Sequence, residues 1–427
     1  MEAVVLCEVK FGAGPIQAVI DYLTVEKRYR IVGAALIAQE IPEGFSLEVP
    51  FVVEADAAAA VRRAAEEFAP GALVDATQSD LAQRLAWANE ALQVGLEVHG
   101  ADFRLWPPIL KRGGLPTLTF VGAGPAVGKT AAIVHFLEQV KDKYKAAAVV
   151  LDLGGPSYPE VVRVGEGALS SAELLSYHKD GRRVDGDHYL IAAATGAPAV
   201  GCSFAGTGLT GIPLNSVLGD AFVFASEAGG EFMVVEGSGN AMPPVSGAVC
   251  FLVSVRAEPA SLRTFPFAYQ LRRASVVIAT GFAAGPPAKA LSTLGSEIKS
   301  INKRAAFCYG RLVAAAVGRA EFENAVVVTA RPGGEREALF GHWGKKIRGT
   351  VVDVVGADEF PPGASTAKSL RGSGENTGLL LDMAAANLGG WLAWADSWGL
   401  PVHLTFETLR PAEPVVEPLL KSALEAT

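Results

Sequence analysis

Thr117-Leu-Thr-Phe-Val121-Gly122-Ala-Gly124-Pro-Ala-Val127-Gly128-Lys129-Thr130 is the stretch on which the reading of this chain turns. Thr117–Val121 is a short apolar run that predicts a buried strand. Beyond Thr130, Ile133, Leu137 and Val140 recur at helical spacing and predict a helix. Strand, glycine-rich loop and helix, in that order, is the setting in which Gly-Lys-Thr binds a phosphate tail. The glycines let backbone N–H groups turn inward, and the helix N-terminus adds partial positive charge. Lys129 would meet the β- and γ-phosphates and Thr130 would ligate Mg²⁺. The expected nucleotide-binding residues are Gly122, Gly124, Val127, Gly128, Lys129, Thr130 and Ala131. ATP with Mg²⁺ is the expected pair of cofactors, because no Asn-Lys-x-Asp guanine motif occurs; Ile301-Asn302-Lys303-Arg304 lacks the aspartate.

Two acids end the neighbouring apolar runs. Phe232-Met-Val-Val-Glu236-Gly237-Ser238-Gly239 is a strand running into an acid and glycines, which places Glu236 opposite Thr130 as a Mg²⁺ anchor. Val149-Val-Leu-Asp152 follows the P-loop helix, so Asp152 falls at the carboxyl edge of a sheet, where ligands bind in such folds. A turn or helix cap is the competing role for Asp152. Thr130, Asp152 and Glu236 form the expected metal set.

Outward from this core, apolar runs alternate with helix-length segments across the chain, the pattern of an α/β protein with mostly parallel sheets. A chain of 427 residues is too long for one ordinary core. The expectation is a central P-loop nucleotide-binding domain (111–320), flanked by an N-terminal Rossmann-like α/β domain (1–110) and a C-terminal α/β domain (321–427). Pro107, Pro108 and Lys111–Gly114 mark the first boundary. The Pro-, Gly- and Ser-rich stretch 360–376, with Lys368 and Arg371, reads as a loop that closes over the site. The formal charge of −8 speaks against a duplex nucleic-acid partner. No uncharged apolar stretch is long enough to span a bilayer. The four cysteines are scattered without a Cys-x-x-Cys pair, which suits a reducing cytoplasm and no zinc site. Trp391, Trp394 and Trp398 keep helical spacing and read as core or subunit contact, and Arg272-Arg273 reads as a surface helix end.

The chain resembles cyclic 2,3-diphosphoglycerate synthetase and its relatives, on a P-loop spaced as in dethiobiotin synthetase. The resemblance is carried by Gly122–Thr130, by Gly154-Gly155-Pro-Ser-Tyr-Pro-Glu160-Val-Val-Arg163, by Asp187-His188, by Val200-Gly-Cys202, and by Val235-Glu-Gly-Ser-Gly239 with the following Pro-Pro244-Val245. It covers most of the chain and is tightest between Gly122 and Val245. It implies a cyclo-ligase: one phosphate of 2,3-diphosphoglycerate attacks the γ-phosphorus of ATP, and the neighbouring phosphate then displaces inorganic phosphate to close the ring. Under that resemblance Lys129, His188 and Glu236 are the expected catalytic residues. Gly154, Gly155, Arg163, Asp187, His188, Cys202, Gly237 and Ser238 are the expected contacts to a small anionic substrate, and a homodimer is expected.

The sequence departs from the family where cations are usual. Leu153, Ser203, Phe204 and Met383 stand at such positions, and Pro125 and Ala126 replace bases within the loop. Charge-assisted bonds are worth about 1.5–3 kcal/mol each, so their loss implies either substitute cations or a less charged small acid as substrate. Lys10, Arg104, Arg163, Arg182, Arg183, Arg256, Lys368 and Arg371 are the candidate substitutes. A nucleotide switch without a small-molecule substrate is the competing function; the absence of a second lysine from Gly124 to Val127 argues against it. The remaining histidines and Cys202 itself have packing roles as their simplest alternative.

Overall fold

The computed structural model describes residues 1–27, 29–77, 79, 81–100, 103–105, 114–152, 155–156, 158–164, 169–282, 288–317, 322–330, 342–343, 350–362 and 377–425. The chain forms two compact units, Met1–Ile109 with Ala260–Arg272, and Leu110–Pro259 with Arg273–Thr427.

The first unit is built on a six-stranded sheet in the order Phe51–Glu54, Arg30–Ile37, Glu2–Glu8, Ala72–Asp75, Glu97–His99, Arg104–Leu105. All neighbours are parallel except the last pair. Helices Ala57–Phe68 and Leu81–Gln93 cover one face through Val61, Ala64, Trp87 and Ala91. Helix Ala13–Val25 covers part of the other through Ile16, Ile20 and Leu23. Helix Ala57–Phe68 starts where it does because the Asp56 carboxylate accepts from the Ala59 N–H at 2.9 Å.

Segment 260–272 joins this unit through a buried acid. Glu90 has a carboxylate only 2% exposed, and Arg62 lies 3.1 Å from it. Arg272 pairs with the same carboxylate, so it is not the surface helix end its sequence position suggested. A carboxylate this deep is tolerated only when paired, and the guanidinium groups supply that pairing. Gln93 also donates to the Tyr269 carbonyl at 3.1 Å.

The second unit is built on a 13-stranded sheet. From one edge the order is Pro213–Ser216, Ala199–Thr207, Ala146–Asp152, Phe232–Gly237, Thr117–Gly122, Ala248–Ser254, Val276–Gly281, Ala306–Ala316, Val402–Pro411, Thr377–Asp382, Asn324–Thr329 and Thr350–Gly356, with Glu160–Val162 beside Ala199–Thr207. Ala199–Thr207 through Ala306–Ala316 run parallel. Their middle members are continuous apolar runs because helices bury both faces. Helices Lys129–Val140 and Asp187–Thr195 lie on one face, with Phe136, Leu137, Tyr189 and Ile191 in the core.

The third block of the sequence continues this sheet and does not stand as a separate domain. Ala306–Ala316 is parallel to Val276–Gly281 only as far as Arg311, then runs on and pairs antiparallel with Val402–Pro411. From there Thr377–Asp382, Asn324–Thr329 and Thr350–Gly356 are again parallel, but in the reversed direction. The carboxyl ends of the two parallel blocks therefore point toward each other. The tryptophan helix, Leu388–Ser397, packs Trp391 fully inside this half. Stretch 363–376, expected to close over the site, lies outside the described residues, as do Lys368 and Arg371.

If the two blocks fold as one unit, a chain ending at residue 320 strips Ala306–Ala316 of its antiparallel partner. It should lose the cooperative unfolding of the P-loop half by circular dichroism, along with nucleotide binding. A soluble 1–320 fragment that binds nucleotide normally would show that the blocks fold separately.

Candidate functional site

The loop after Thr117–Gly122 has the geometry its glycines predict. Gly124 and Gly128 adopt φ of 119° and 85°, a region open to glycine. Ala126 also has positive φ, 54°, at some cost in strain. Gly122 is required for a different reason: a Cβ there would lie 2.6 Å from Val127 and 2.8 Å from the Leu252 carbonyl. The loop is tied to the sheet from the next strands. Ala123 N–H donates to the Leu252 carbonyl at 2.9 Å, and the buried Thr280 hydroxyl donates to the Val127 carbonyl at 2.7 Å. Leu312 packs under Gly128. Thr280 and Leu312 were not singled out by sequence; the only signal was a threonine ending an apolar run.

Lys129 opens helix Lys129–Val140 and is 6% exposed. Its ammonium donates to the carbonyls of Gly124 at 3.1 Å and Gly239 at 3.0 Å. Burial pulls its pKa below the ordinary lysine range, and the charges of Glu236 and Asp187 oppose that pull. The Gly239 carbonyl is aimed by a tight turn. A Cβ on Gly237 would sit 2.0 Å from the Ala241 carbonyl oxygen, so this position is glycine because backbone passes over it.

Glu236 is 2% exposed and accepts from the Thr130 hydroxyl at 2.9 Å through Oε1. Its Oε2 has no hydrogen-bond partner among the described residues. Burial, then repulsion from Asp187, lifts its pKa to about 8, against the opposing effects of Lys129 and Thr130. Asp187 is the first residue of helix Asp187–Thr195, a favoured place for an acid. It also hydrogen-bonds Thr130, and burial and Asp152 raise its pKa. Asp152 is half-buried at the end of Ala146–Asp152, close enough to act on both other acids. Among the described residues no group of three His, Cys, Asp or Glu side chains forms a ready metal cage. A half-buried hydroxyl beside a buried carboxylate with an unused oxygen nonetheless fits Mg²⁺, a hard ion that keeps several waters and needs few protein ligands.

These groups border a cavity of about 410 Å³. Pro125, Ala126, Gly128, Lys129, Thr130, Ala131, Asp187, Glu236, Ser238 and Gly239 line one side. Ala330, Asp382, Ala384 and Glu407, from the reversed block, also line the cavity, with Phe282 just past the end of Val276–Gly281. Asp382 and Glu407 were not anticipated. Asp382 is fixed by the N–H groups of Ala330 and Ala384, each at 3.1 Å.

Several expected contacts are not brought to this cavity. His188 sits next to Asp187 but points away into the sheet; its ring lies against Gly186 and Gly201, where a Cβ would come within 2.6 Å and 2.5 Å. Its Nε2 is 3.5 Å from Glu160 Oε2. Cys202 is fully buried among Leu151, Val200 and Leu218, and burial with the nearby Asp152 charge raises its thiol to about 12. It is a packing residue. Arg163 is exposed, Gly155 packs against Asp152 and the Cys202 carbonyl, and Gly154 and Leu153 lie outside the described residues. Among the proposed substitute cations, Lys10 pairs with Glu8, Arg182 with Glu160, and Arg183 with Asp185. Lys10, Arg104, Arg163, Arg182, Arg183 and Arg256 all lie away from the cavity lining.

Residues 117–310 match the family described as cyclic 2,3-diphosphoglycerate synthetase, P-loop domain. This segment is thus similar to the P-loop domain of the cyclic 2,3-diphosphoglycerate synthetase family. Curated relatives agree. The synthetase of Rubrobacter xylanophilus is 33% identical over 259 residues, 58% of this chain and 58% of that one. The synthetase of Pyrococcus abyssi is 25% identical over 342 residues, 79% of this chain and 78% of that one. The solved apo form of LpxK from Aquifex aeolicus in complex with ATP gives a TM-score of 0.44 at 11% identity, covering 81% of this chain and 95% of that one. At that distance it adds nothing to the assignment. Within the matched segment, Lys129, Thr130 and Glu236 are brought into direct or near contact.

Two measurements check this site. With Cys7, Cys202 and Cys308 raised to about 12 and Cys250 raised well above the ordinary thiol value, chiefly by burial, the thiolate fraction at pH 8 is very small. The native protein should therefore resist iodoacetamide at pH 8 and label fully only when denatured; rapid native labelling at Cys202 would contradict its packing role. Gly237→Ala should displace the turn that presents the Gly239 carbonyl, weakening nucleotide binding and lowering the melting temperature by an amount equivalent to about 1–3 kcal/mol.

Proposed function

We propose that this chain is an ATP- and Mg²⁺-dependent ligase that activates one acidic group of a small substrate by phosphoryl transfer and closes it on a neighbouring phosphate. Its curated relatives are named as cyclic 2,3-diphosphoglycerate synthetases, and a cyclic product is what such a closure gives. The observation that carries the reading is the joining of Lys129, Thr130 and Glu236 at one end of the cavity, inside a domain of that family.

The residues present supply each part of such a reaction. Backbone N–H groups of the loop and the N-terminus of helix Lys129–Val140 would receive the β- and γ-phosphates. Lys129 would exchange its two carbonyl acceptors for phosphate oxygens, a charge-assisted bond being about twice as strong as a neutral one. Thr130 and Glu236, with Asp152 and Asp187 close by, would hold Mg²⁺. Held there, the ion would supply positive charge against the negative charge that develops on the transferred group. Positioning and electrostatics then do most of the work, and a strong base is not needed.

The far wall speaks to the substrate. Among the described lining residues Lys129 is the one cation, against Asp187, Glu236, Asp382 and Glu407. 2,3-Diphosphoglycerate and a less charged small acid are the two candidate substrates. The family assignment disfavours a nucleotide switch. On the same reading the enzyme acts in the cytoplasm, where buried free thiols stay reduced, and as a homodimer, which light scattering on the eluting protein will test.

The deciding assay is ADP release from ATP and Mg²⁺ with 2,3-diphosphoglycerate and with monophosphorylated three-carbon acids, with ³¹P NMR of the products. Acid-stimulated ADP release is expected, and a cyclic pyrophosphate signal would establish the diphosphoglycerate reaction. Lys129→Ala and Glu236→Gln should each lower kcat by about 10²- to 10³-fold. ADP release that no acid stimulates, or that Lys129→Ala leaves unchanged, would falsify the ligase reading.

A further inference from the structure

The N-terminal unit holds a second cavity, of about 640 Å³. It opens at Asp75 and His99, which end neighbouring parallel strands, and helix Ala13–Val25 flanks it with Val19, Tyr22 and Leu23. The carboxyl edge of a parallel sheet is where small ligands settle in doubly wound folds.

The balance of charge here is unusual for an acidic chain. The acids at the cavity are already engaged. The two Asp75 oxygens accept from the Thr77 N–H and hydroxyl and from Arg84 Nε at 2.8 Å. Glu97 takes His99 Nε2 at 3.0 Å. The cations at the cavity mouth are not: Lys27 and Arg104 are exposed, and neither meets a carboxylate among the described residues. Lys27 rests over the Tyr22 ring at 5.7 Å. Between the cations and the floor, His99 is 4% exposed and held on both ring nitrogens, by Tyr29 at 2.5 Å and by Glu97. The result is a half-open cavity with two cations at its mouth, a fixed His99–Tyr29 pair at its base and apolar walls from Val19, Leu23, Val74 and Phe103.

We propose that this cavity is a binding site for a small organic phosphate, with Lys27 and Arg104 meeting the phosphate and the apolar walls holding the carbon chain beside His99. A phosphate fits better than a plain carboxylate because two cations line the cavity while its lining acid, Asp75, is already paired with Arg84 and Thr77.

The test uses the full-length Lys129→Ala protein, so that binding at the P-loop does not contribute. Calorimetry with 3-phosphoglycerate should show one equivalent bound. The His99 imidazole resonance should shift during the titration, and glycerate, which lacks the phosphate, should bind more weakly. Adding Lys27→Gln and Arg104→Gln, both surface changes, should cut affinity by about tenfold or more and abolish the His99 shift while leaving the melting temperature unchanged. Absence of binding to Lys129→Ala, or binding indifferent to the two glutamines, overturns the site. Neither result touches the ligase assignment, which is read from ADP release by the unmodified enzyme.

Discussion

A single buried ammonium organises the P-loop end of this protein. Lys129 has been taken out of water, and a lysine there stays charged only if acceptors and acids replace the lost hydration. Gly124 and Gly239 supply the acceptors, Glu236 and Asp187 the charge. Each of those partners makes a demand elsewhere. The Gly239 carbonyl needs Gly237 with no side chain, the acids need the hydroxyl of Thr130, and the loop needs Thr280 beneath Val127. The acids in turn repel one another, and that repulsion, added to burial, holds Glu236 near neutrality in its titration. A site so loaded with like charge is stable in the presence of cations, which is consistent with a metal-assisted phosphoryl-transfer role.

Much of the nucleotide end was legible in the sequence because it is local. Strand, loop and helix lie within about thirty residues, and the signals are steric: glycine where φ is positive, apolar spacing where a helix is buried. Glu236 was legible as an acid ending an apolar run. Residues that depend on distant pairing were not. Ala306–Ala316 alternates weakly and was not read as a strand, yet Gly310 meets Pro411 across it, and the far wall of the cavity follows from that pairing. Asp382 and Glu407 could be placed only once the direction of the last strands was known.

Asp187 and His188 show the same limit over one residue. They share a motif, and the motif matched a family, so both were expected at the site. On a helix, successive side chains diverge by about 100°. Asp187 therefore reaches Thr130, while His188 turns into the slot left by Gly186 and Gly201. Sequence proximity gave their neighbourhood and could not give their direction. Cys202 is a comparable case, since a matched position proved to be interior packing.

The continuity of the large sheet has a mechanical consequence. Ala306–Ala316 is bonded on one edge to the strands behind the P-loop and on the other to the strands that bring Asp382 and Glu407. The two walls of the cavity are thus riveted by backbone ladders and do not meet at a hinge. Such a frame resists opening and shutting as a clamp, because widening it would break rows of strand hydrogen bonds together. Adjustment to a guest must come from loops and side chains at the rim, and the gap between the walls acts as a fixed gauge of guest length.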